Sequence, residues 1–394
     1  MNSIECKGFK AAGIIAGIKK KNHKDLGLIF SEVPANAAAV FTCNRVQAAP
    51  VALSRERIQD GRCQALIVNS GNANCCTGVQ GLHDAQAMTR VVAQQLDIEE
   101  NLVMVASTGV IGNPLPLRKV ESAVPELVKS LSPEGFIDLA QAIMTTDTVP
   151  KLIHRRAELR GKSYNVIGVA KGAGMIKPNM ATMLCFICTD LAVPSDLLQR
   201  ALITSTEQSF NRITIDGDTS TNDTVLLLAN SGSEAAVENR DDLKVFQQVL
   251  DEITIHLAKE LVRDGEGVTK LVEIKVMGAS TDQDARIIAD TIAHSNLVKT
   301  AFFGEDANWG RILAAAGRAG VPIDPDNTSI YFNDVQMVKN GLRCGDEAEA
   351  KATAVLKTPE FAVTLQMNLG NGKASVLTCD FSIDYVKINA DYRT

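Results

Sequence analysis

Apolar and polar positions follow two kinds of pattern along this chain. Short apolar runs bounded by turn residues are typical of buried strands. They predict strands at residues 65–69, 102–106, 166–170, 183–189, 224–228, 271–277, 329–333, 361–369 and 374–381. Because glycines fill the connection at 370–373, we expect the last two strands to form a hairpin.

Longer segments repeat apolar residues about every 3.6 positions, which is the period of an amphipathic helix. The clearest helix spans residues 242–262 and ends before Gly265, a residue typical of helix ends. Another begins at Ser280, in a capping-box pattern that ends at Gln283. Further helices are predicted at 195–210 and 309–319. Alternating strands and helices indicate an α/β or α+β fold, with a domain boundary near residues 275–281.

Residues 171–184, KGAGMIKPNMATML, lead into one of the predicted strands and place Thr182 at its mouth. A threonine hydroxyl is a weak nucleophile unless a base lies beside it, and a free α-amine on the same threonine is such a base. That arrangement requires cleavage between Ala181 and Thr182. On this segment alone, a loop in which Thr182 caps a backbone group is the more ordinary interpretation.

Composition narrows the class of protein. The chain has 394 residues, of which 45% are hydrophobic and 22% charged, as in a soluble globular protein. A net charge of −6 favours neither nucleic acid nor an anionic membrane. No apolar run is long enough to span a bilayer, and the first residues lack the apolar core of a signal peptide. With nine cysteines that lack disulfide-framework spacing, we expect a cytoplasmic protein with small-molecule partners.

The cysteines and histidines do not predict a metal site. Cys185 and Cys188 have CxxC spacing, but positions i and i+3 of a strand point to opposite faces, so we interpret both as buried apolar residues. Cys75 and Cys76 are adjacent, and adjacent side chains rarely share a ligand. The five histidines form no metal-binding pair, and no Ser-His-Asp triad is indicated.

Polar, glycine-containing segments follow several strands, where ligands bind in α/β proteins. Thr108 and Gly109 offer a hydroxyl and a closely approachable backbone N–H, the components of an oxyanion hole, although such a turn is often only a turn. Residues 145–151, TTDTVPK, either orient a substrate or cap a turn. The oxygen-rich segment 212–224 fits structural support better than a cation loop, since it lacks EF-hand spacing.

Three later segments leave similar alternatives. Glu266 lies between two glycines and is expected to be exposed, so that it either binds an amine or simply ends a helix. Trp309 supports a site or anchors the helix that follows it. The patterned tail, residues 385–394, suggests a terminus that folds back and contributes Asn389 or Thr394.

Taken together, these segments resemble the ornithine acetyltransferase family, the bifunctional glutamate N-acetyltransferase/amino-acid acetyltransferases of arginine biosynthesis. The resemblance covers nearly the whole chain in order. It is carried by SGNAN at 70–74, STGVIG at 107–112, TTDTVPK at 145–151, KGAGMIKPNMATML at 171–184, FNRITIDGDTSTNDT at 210–224, RDGEG at 263–267, GEDANWGR at 304–311 and YVKINADYRT at 385–394. Ala307, where the family more often has proline, and the two cysteines after Thr182 are minor departures.

The resemblance implies a layered α/β sandwich of the type shared with DmpA-like aminopeptidases, similar to N-terminal nucleophile hydrolases, with a smaller C-terminal α/β lobe at about residues 276–394. It also implies self-cleavage between Ala181 and Thr182. The resulting α chain, 1–181, and β chain, 182–394, would stay associated and form an α₂β₂ heterotetramer.

The implied chemistry is double displacement. Thr182 takes the acetyl group from N²-acetylornithine, ornithine leaves, and glutamate attacks the acetyl-enzyme to give N-acetylglutamate. Thr108 and Gly109 match the family's oxyanion hole. Its substrate-binding positions match Thr145, Lys171, Thr182, Glu266, Asn389 and Thr394. No metal or cofactor is implied, and use of acetyl-CoA as a co-substrate for glutamate acetylation is left open.

Two other functions remain. A DmpA-like aminopeptidase or amidohydrolase would use the same nucleophile but pass the acyl group to water. A binding protein for amino acids would never cleave itself. The match at every substrate position, including the tail, favours the transferase.

Overall fold

The computed structural model describes residues 5–20, 22–177 and 183–391. The described residues divide into two compact units. The first comprises the chain up to Asn211 together with Asp218–Leu261, and the second comprises Arg212–Gly217 together with the chain from Val262 onward. One division between the units therefore falls between Leu261 and Val262, in the last turn of the helix Arg240–Arg263. The boundary predicted from the sequence lies later in the chain, near residues 275–281, with the C-terminal lobe beginning at about residue 276.

The first unit contains one connected set of strands with helices around it. Its strands are β1 (Phe9–Ile14), β2 (Leu26–Phe41), β3 (Arg62–Asn72), β4 (Val103–Val110), β5 (Lys151–Leu159), β6 (Lys162–Lys171), β7 (Leu184–Thr189) and β8 (Thr224–Ala229). Its helices are α1 (Ala49–Arg57), α2 (Gly78–Leu96), α3 (Leu117–Lys129), α4 (Phe136–Ile143) and α5 (Ser195–Gln208), and α6 (Arg240–Arg263) ends in the second unit.

The sheet order is β4-β3-β2-β8-β7-β6-β5, with β1 also paired to β2. The pairs β3–β4 and β7–β8 are parallel, and the other neighbours are antiparallel. The long strand β2 pairs with β3 at one end and with β8 at the other, and its register with β3 shifts between Phe30 and Ala35. An irregularity of this kind bends a strand.

One buried cluster joins the two halves of this sheet. It combines Leu66 and Val68 of β3 with Phe186 of β7 and Leu226 of β8. The alternate residues of β3, Ala65 and Ile67, pack instead with α2 and α3, as the two-residue period of a strand requires. The first unit is thus a layered α/β sandwich, in agreement with the expected fold class.

The second unit is built on a separate sheet. Its strands are β9 (Leu271–Ala279), β10 (Ser329–Phe332), β11 (Val335–Lys339), β12 (Leu342–Arg343), β13 (Glu360–Gln366) and β14 (Gly372–Cys379), in the order β12-β11-β10-β13-β9-β14. Its helices are α7 (Asp282–Ala293), α8 (Asn296–Phe303), α9 (Trp309–Gly317), α10 (Asp346–Leu356) and α11 (Ile383–Asp391). Trp309 opens α9 and packs against the core of this unit, so it anchors the helix that it begins.

The predicted hairpin is wrong. β9 lies between β13 and β14, parallel to the former and antiparallel to the latter. The connection passes the end of β9, where the N–H groups of Leu369 and Gly370 donate to the carbonyl of Gly278 at 2.7 and 3.0 Å. Strand β9 supplies backbone hydrogen-bonding partners to the facing edges of both β13 and β14. The sequence of the turn at 370–373 does not indicate that another strand lies between the two.

The predicted start of α7 is off by one residue. Thr281, not Ser280, is the N-cap, and its hydroxyl accepts the backbone N–H of Asp284 at 3.1 Å. A threonine followed three residues later by an acid gives the same kind of signal as the pair we selected.

Among the described residues, no helix is long and apolar enough to cross a membrane.

Candidate active site

The parallel pair β3–β4 creates a tight backbone corner at its carboxyl end. Ser70 lies opposite Thr108 and Gly71 opposite Gly109. Gly109 has a φ of 130°, and a Cβ at this position would lie 2.4 Å from the carbonyl carbon of Gly71. Only glycine fits this conformation and this approach. The corner therefore leaves the Gly109 backbone beside the partly exposed hydroxyl of Thr108.

Lys171, the last residue of β6, reaches this corner. Its ammonium group donates to the Thr108 hydroxyl at 3.4 Å, and the residue is 7% exposed. Its backbone pairs with Leu184 at the start of β7. The fold thus brings together three of the residues that the sequence selected, although Lys171 is more than 60 positions away in sequence.

Asp147 connects Lys171 to the segment that carries Thr145. Its carboxylate pairs with Lys151 at 2.7 Å, with both side chains at most 1% exposed. It also accepts the backbone N–H groups of Thr145 at 3.0 Å and of Gly172 at 2.7 Å. Burial opposes ionisation, but the positive charges of Lys171 and Lys151 hold the Asp147 pKa below its ordinary value. The carboxylate is therefore ionised and fixes two predicted substrate-binding segments.

The oxygen-rich segment before β8 supports the same corner. The Asn222 amide donates to the carbonyls of Ala73 at 2.6 Å and Ser107 at 2.8 Å, so that it joins the segment after β3 to strand β4. These bonds agree with structural support as the role of this segment. Among the described residues, no three His, Cys, Asp or Glu side chains are grouped to hold a metal ion.

Asp223 is a buried carboxyl group that the sequence analysis did not single out. The residue is 2% exposed, and burial raises its pKa well above the ordinary value. Its Oδ2 has no hydrogen-bond partner within the described part of the chain. The next residue, Thr224, donates its N–H to the carbonyl of Met183 at 3.0 Å. Asp223 thus lies beside the start of β7, where burial opposes ionisation of its carboxyl group.

The predicted nucleophile and cleavage site, Thr182 and Ala181, lie outside the described residues, and so does Thr394. The described chain resumes at Met183, which is buried and leads into β7.

The second unit holds another pair of predicted residues. The Asn389 amide donates to the Glu266 carboxylate at 2.8 Å and to the Tyr385 carbonyl at 3.1 Å. Gly267 has a φ of 66°, and a Cβ there would lie 2.4 Å from the Tyr385 nitrogen. Helix α11 therefore folds back against the turn after α6, as we expected for Asn389.

The expectation that Glu266 is exposed is wrong, since the residue is only 6% exposed. The reason is the contact with α11, which covers the turn between the two glycines. A buried carboxylate held by one amide retains acceptor capacity for a further donor.

The two cysteines of the CxxC spacing are fully buried in β7, and burial raises the pKa of both thiols. Cys188 belongs to the core cluster between the sheet halves, whereas Cys185 is not part of that cluster. Both are core residues, as we interpreted them.

Sequence reasoning selected the segments that contain Asp147, Asn222 and Asp223 but gave none of these three residues a role of its own. A lysine four residues after Asp147 was an available signal for a paired carboxylate. Nothing in the sequence around Asn222 indicates that its amide bonds to the carbonyls of Ala73 and Ser107, which lie 149 and 115 positions away.

Comparison with known proteins gives consistent matches. A family model described as the ArgJ family matches residues 10–394. The arginine biosynthesis bifunctional protein ArgJ of Geobacter sulfurreducens is 50% identical over 393 residues, covering 99% of this chain and 100% of that protein. The protein of the same name from Syntrophotalea carbinolica is 52% identical over 395 residues, with 99% and 100% coverage. The crystal structure of the ArgJ protein of Bacillus halodurans matches with 49% identity and a TM-score of 0.43, covering 45% of this chain and 92% of that one.

Proposed function

Because this chain belongs to the ArgJ family, we propose that it transfers an acetyl group from N²-acetylornithine to glutamate, through an acetyl ester on Thr182. The observation that carries the proposal is the corner formed by Gly109, Thr108 and Lys171, with the Lys171–Thr108 contact at 3.4 Å. A backbone N–H and a hydroxyl beside a cation are suited to an oxygen that becomes negative during acyl transfer.

The nucleophile would arise by cleavage of the chain. The Thr182 hydroxyl attacks the Ala181 carbonyl, the peptide bond becomes an ester, and water hydrolyses that ester to leave a carboxylate on Ala181. The freed α-amine of Thr182 has an ordinary pKa of about 8, so it can act as a base near neutral pH.

The acetyl group would then move in two steps. The Thr182 oxygen attacks the acetyl carbonyl of N²-acetylornithine, its proton passes through the α-amine to the departing nitrogen, and ornithine leaves. The amine of glutamate attacks the ester, loses a proton, and releases N-acetylglutamate and the free hydroxyl. Thr108 and the Gly109 N–H would stabilise the oxyanion in both steps.

The charges of Lys171 and Glu266 are opposite to those of the carboxylate and amine groups of amino-acid substrates. Lys171 would bind a substrate carboxylate, with Thr145 positioned beside it through Asp147. Glu266, held by Asn389, would bind the side-chain amine of ornithine. Thr394 at the end of the chain would complete this set.

Further parts of the proposal rest on the family assignment and composition. The reaction would need no metal or cofactor, and acetyl-CoA would serve as a second acetyl donor, since the relatives are named as bifunctional proteins. The enzyme would act in the cytoplasm as two α and two β chains.

Mass spectrometry of denatured protein tests the nucleophile. We expect fragments that end at Ala181 and begin at Thr182, and an added acetyl group on the second fragment after incubation with N²-acetylornithine alone. Thr182→Ala should remain one chain and take up no acetyl group, whereas Thr204→Ala, at an exposed helix position, should behave as the wild type. An uncut wild-type chain would overturn the mechanism.

A glutamate-omission experiment separates the transferase from a hydrolase. With N²-acetylornithine alone, a transferase should release one equivalent of ornithine and then stall, as expected for double displacement. Continuous release of acetate without glutamate would support the aminopeptidase-like alternative instead.

A further inference from the structure

Lys19 lies in the connection between β1 and β2, and a buried carboxylate fixes its backbone. Asp25 is fully buried and accepts the N–H groups of Ala16 at 2.6 Å and of Lys19 at 2.8 Å. Lys19 therefore has a defined place in the first unit, unlike a lysine on a loose surface loop.

The ammonium group of Lys19 ties this connection to the segment that carries Thr145. Its Nζ donates to the carbonyl of Met144 at 2.7 Å and to the carbonyl of Lys24 at 2.9 Å. Met144 directly precedes Thr145, whose N–H is bound by Asp147. The Thr145 segment is thus held from two sides, by the Lys19 cation and by the Asp147 carboxylate.

The stem of Lys19 also lies against the oxyanion corner. A Cβ on Gly71 would lie 2.9 Å from the Cγ of Lys19, and Gly71 is the residue against which Gly109 packs. The Lys19 side chain consequently contacts Gly71, which packs against the predicted oxyanion-hole residue Gly109. It also donates to Met144, which precedes the predicted binding residue Thr145.

Burial and neighbouring charges shift the pKa of the Lys19 ammonium group. Its pKa is lowered to about 8, chiefly by burial and also by the charge of Lys171, while Asp25 and Asp147 oppose that shift. Among the neighbouring cations, Lys24 pairs with Asp138, Lys20 is exposed, and Lys119 donates to the carbonyl of Gly17. Lys19 therefore lies close enough to Lys171 for the charge of Lys171 to lower the Lys19 pKa.

We propose that Lys19 is a positioning residue that holds the Thr145 segment in place and adds positive charge beside Lys171, so that substrate carboxylates bind more tightly. This inference rests on the proposed function, since it assigns Thr145 and Lys171 to substrate binding. Lys19 acts through these residues and through the local potential.

Steady-state kinetics with N²-acetylornithine and saturating glutamate tests this role. Lys19→Met should raise the KM for N²-acetylornithine about three- to tenfold and change kcat less; this is below the effect of losing a direct charge-assisted hydrogen bond, because Lys19 acts through its neighbours. Lys19→Arg should retain most of the affinity because it keeps the charge. Lys20→Met removes an exposed lysine one residue away and serves as the matched control.

The pH dependence gives a readout that a merely structural lysine would not show. In the wild type, the KM should rise above about pH 8, because Lys19 loses its proton there while the substrate α-carboxylate and side-chain amine do not titrate. The Thr182 α-amine titrates in the same range, but it is common to the wild type and Lys19→Arg, so the difference between the two profiles reports on Lys19. The arginine variant should lack this rise. The wild-type and Lys19→Arg profiles suffice if Lys19→Met fails to fold.

An unchanged KM in Lys19→Met, or an equal rise with pH in wild type and Lys19→Arg, would overturn the role of Lys19. The proposed function would survive either result, as long as the wild type transfers acetyl groups. If the wild type has no transferase activity, the function itself fails, and that failure is seen before any variant is compared.

Discussion

Asp147 shows how one buried carboxylate can fix several segments of a site. Its carboxylate pairs with Lys151, bonds to two backbone N–H groups and lies in the field of Lys171. A buried ion pair contributes little when compared with a well-packed apolar pair, but loss of one partner leaves the other charge buried and uncompensated. Removal of the Asp147 carboxylate is therefore expected to destabilise the folded protein, because Lys151 would lose this counter-ion.

We predict that Asp147→Asn destabilises the protein by about 3–5 kcal/mol at neutral pH, because Lys151 loses its buried counter-ion. The pKa of Asp147 is lowered in the folded state, so its stabilisation is present above its unfolded pKa of about 3.9 and is lost as the pH falls through the folded pKa. Thermal unfolding of both proteins should show a difference that narrows below about pH 4.

Glu32→Gln is the control, since Glu32 forms a more exposed pair with Lys10 and should change the unfolding temperature little. A gap between wild type and Asp147→Asn that stays constant down to acid pH would contradict the ionised state assigned to Asp147.

The start of helix α7 shows that two adjacent residues with similar capping potential can have different roles in the structure. Ser280 and Thr281 are both hydroxyl residues before an apolar helical pattern, but only Thr281 adopts the extended N-cap conformation and accepts the Asp284 N–H. The backbone has a φ of 74° at Gly278 and is extended at Thr281, which is the conformation that an N-cap residue requires.

We predict that Thr281→Ala weakens the first turn of α7 by about 1 kcal/mol, whereas Ser280→Ala changes it by less than about 0.5 kcal/mol. Hydrogen exchange of the first-turn amides measures this difference locally, without requiring that both units unfold together. Equal acceleration of exchange in the two variants would show that the cap is shared or lies elsewhere.

The sheet order has a consequence for the whole molecule. Strands β7 and β8 follow the proposed cleavage site, yet they lie between β2 and β6, which precede it. Each proposed piece therefore lacks the hydrogen-bonding partners that the other provides, and the core cluster of the first unit draws residues from both. Cleavage can occur without separation because the interface between the pieces is the interior of a sheet.

We predict that the pieces 1–181 and 182–394 elute together on size-exclusion chromatography and separate only in denaturant. Expressed alone, each should be insoluble or unfolded, because it would expose strand edges and core residues. Co-expression of the two separate pieces is the matched comparison and should restore a soluble complex. Stable, folded isolated pieces would contradict this view, and native mass spectrometry of the complex would test the proposed α₂β₂ assembly.

Local sequence patterns were enough to predict the elements with a strong apolar period or a continuous apolar run. The predicted helix at 242–262 corresponds to α6 and the strand at 183–189 to β7, because a regular apolar period and a continuous apolar run are properties of neighbouring residues. Family resemblance selected Thr108, Gly109, Thr145 and Lys171, and the structure places these four residues around one backbone corner and one carboxylate. It also pairs Glu266 with Asn389.

Features that depend on distant partners could not be predicted from local sequence and became clear only in the folded chain. The insertion of β9 between β13 and β14 and the burial of Glu266 under α11 both arise from contacts between residues far apart in sequence. The roles of Asp147 and Lys19 follow from buried charges whose energies depend on neighbours and local dielectric. Local patterns record which residues prefer a strand, a helix or the interior, but the pairing of strands and charges is fixed only when the chain closes on itself.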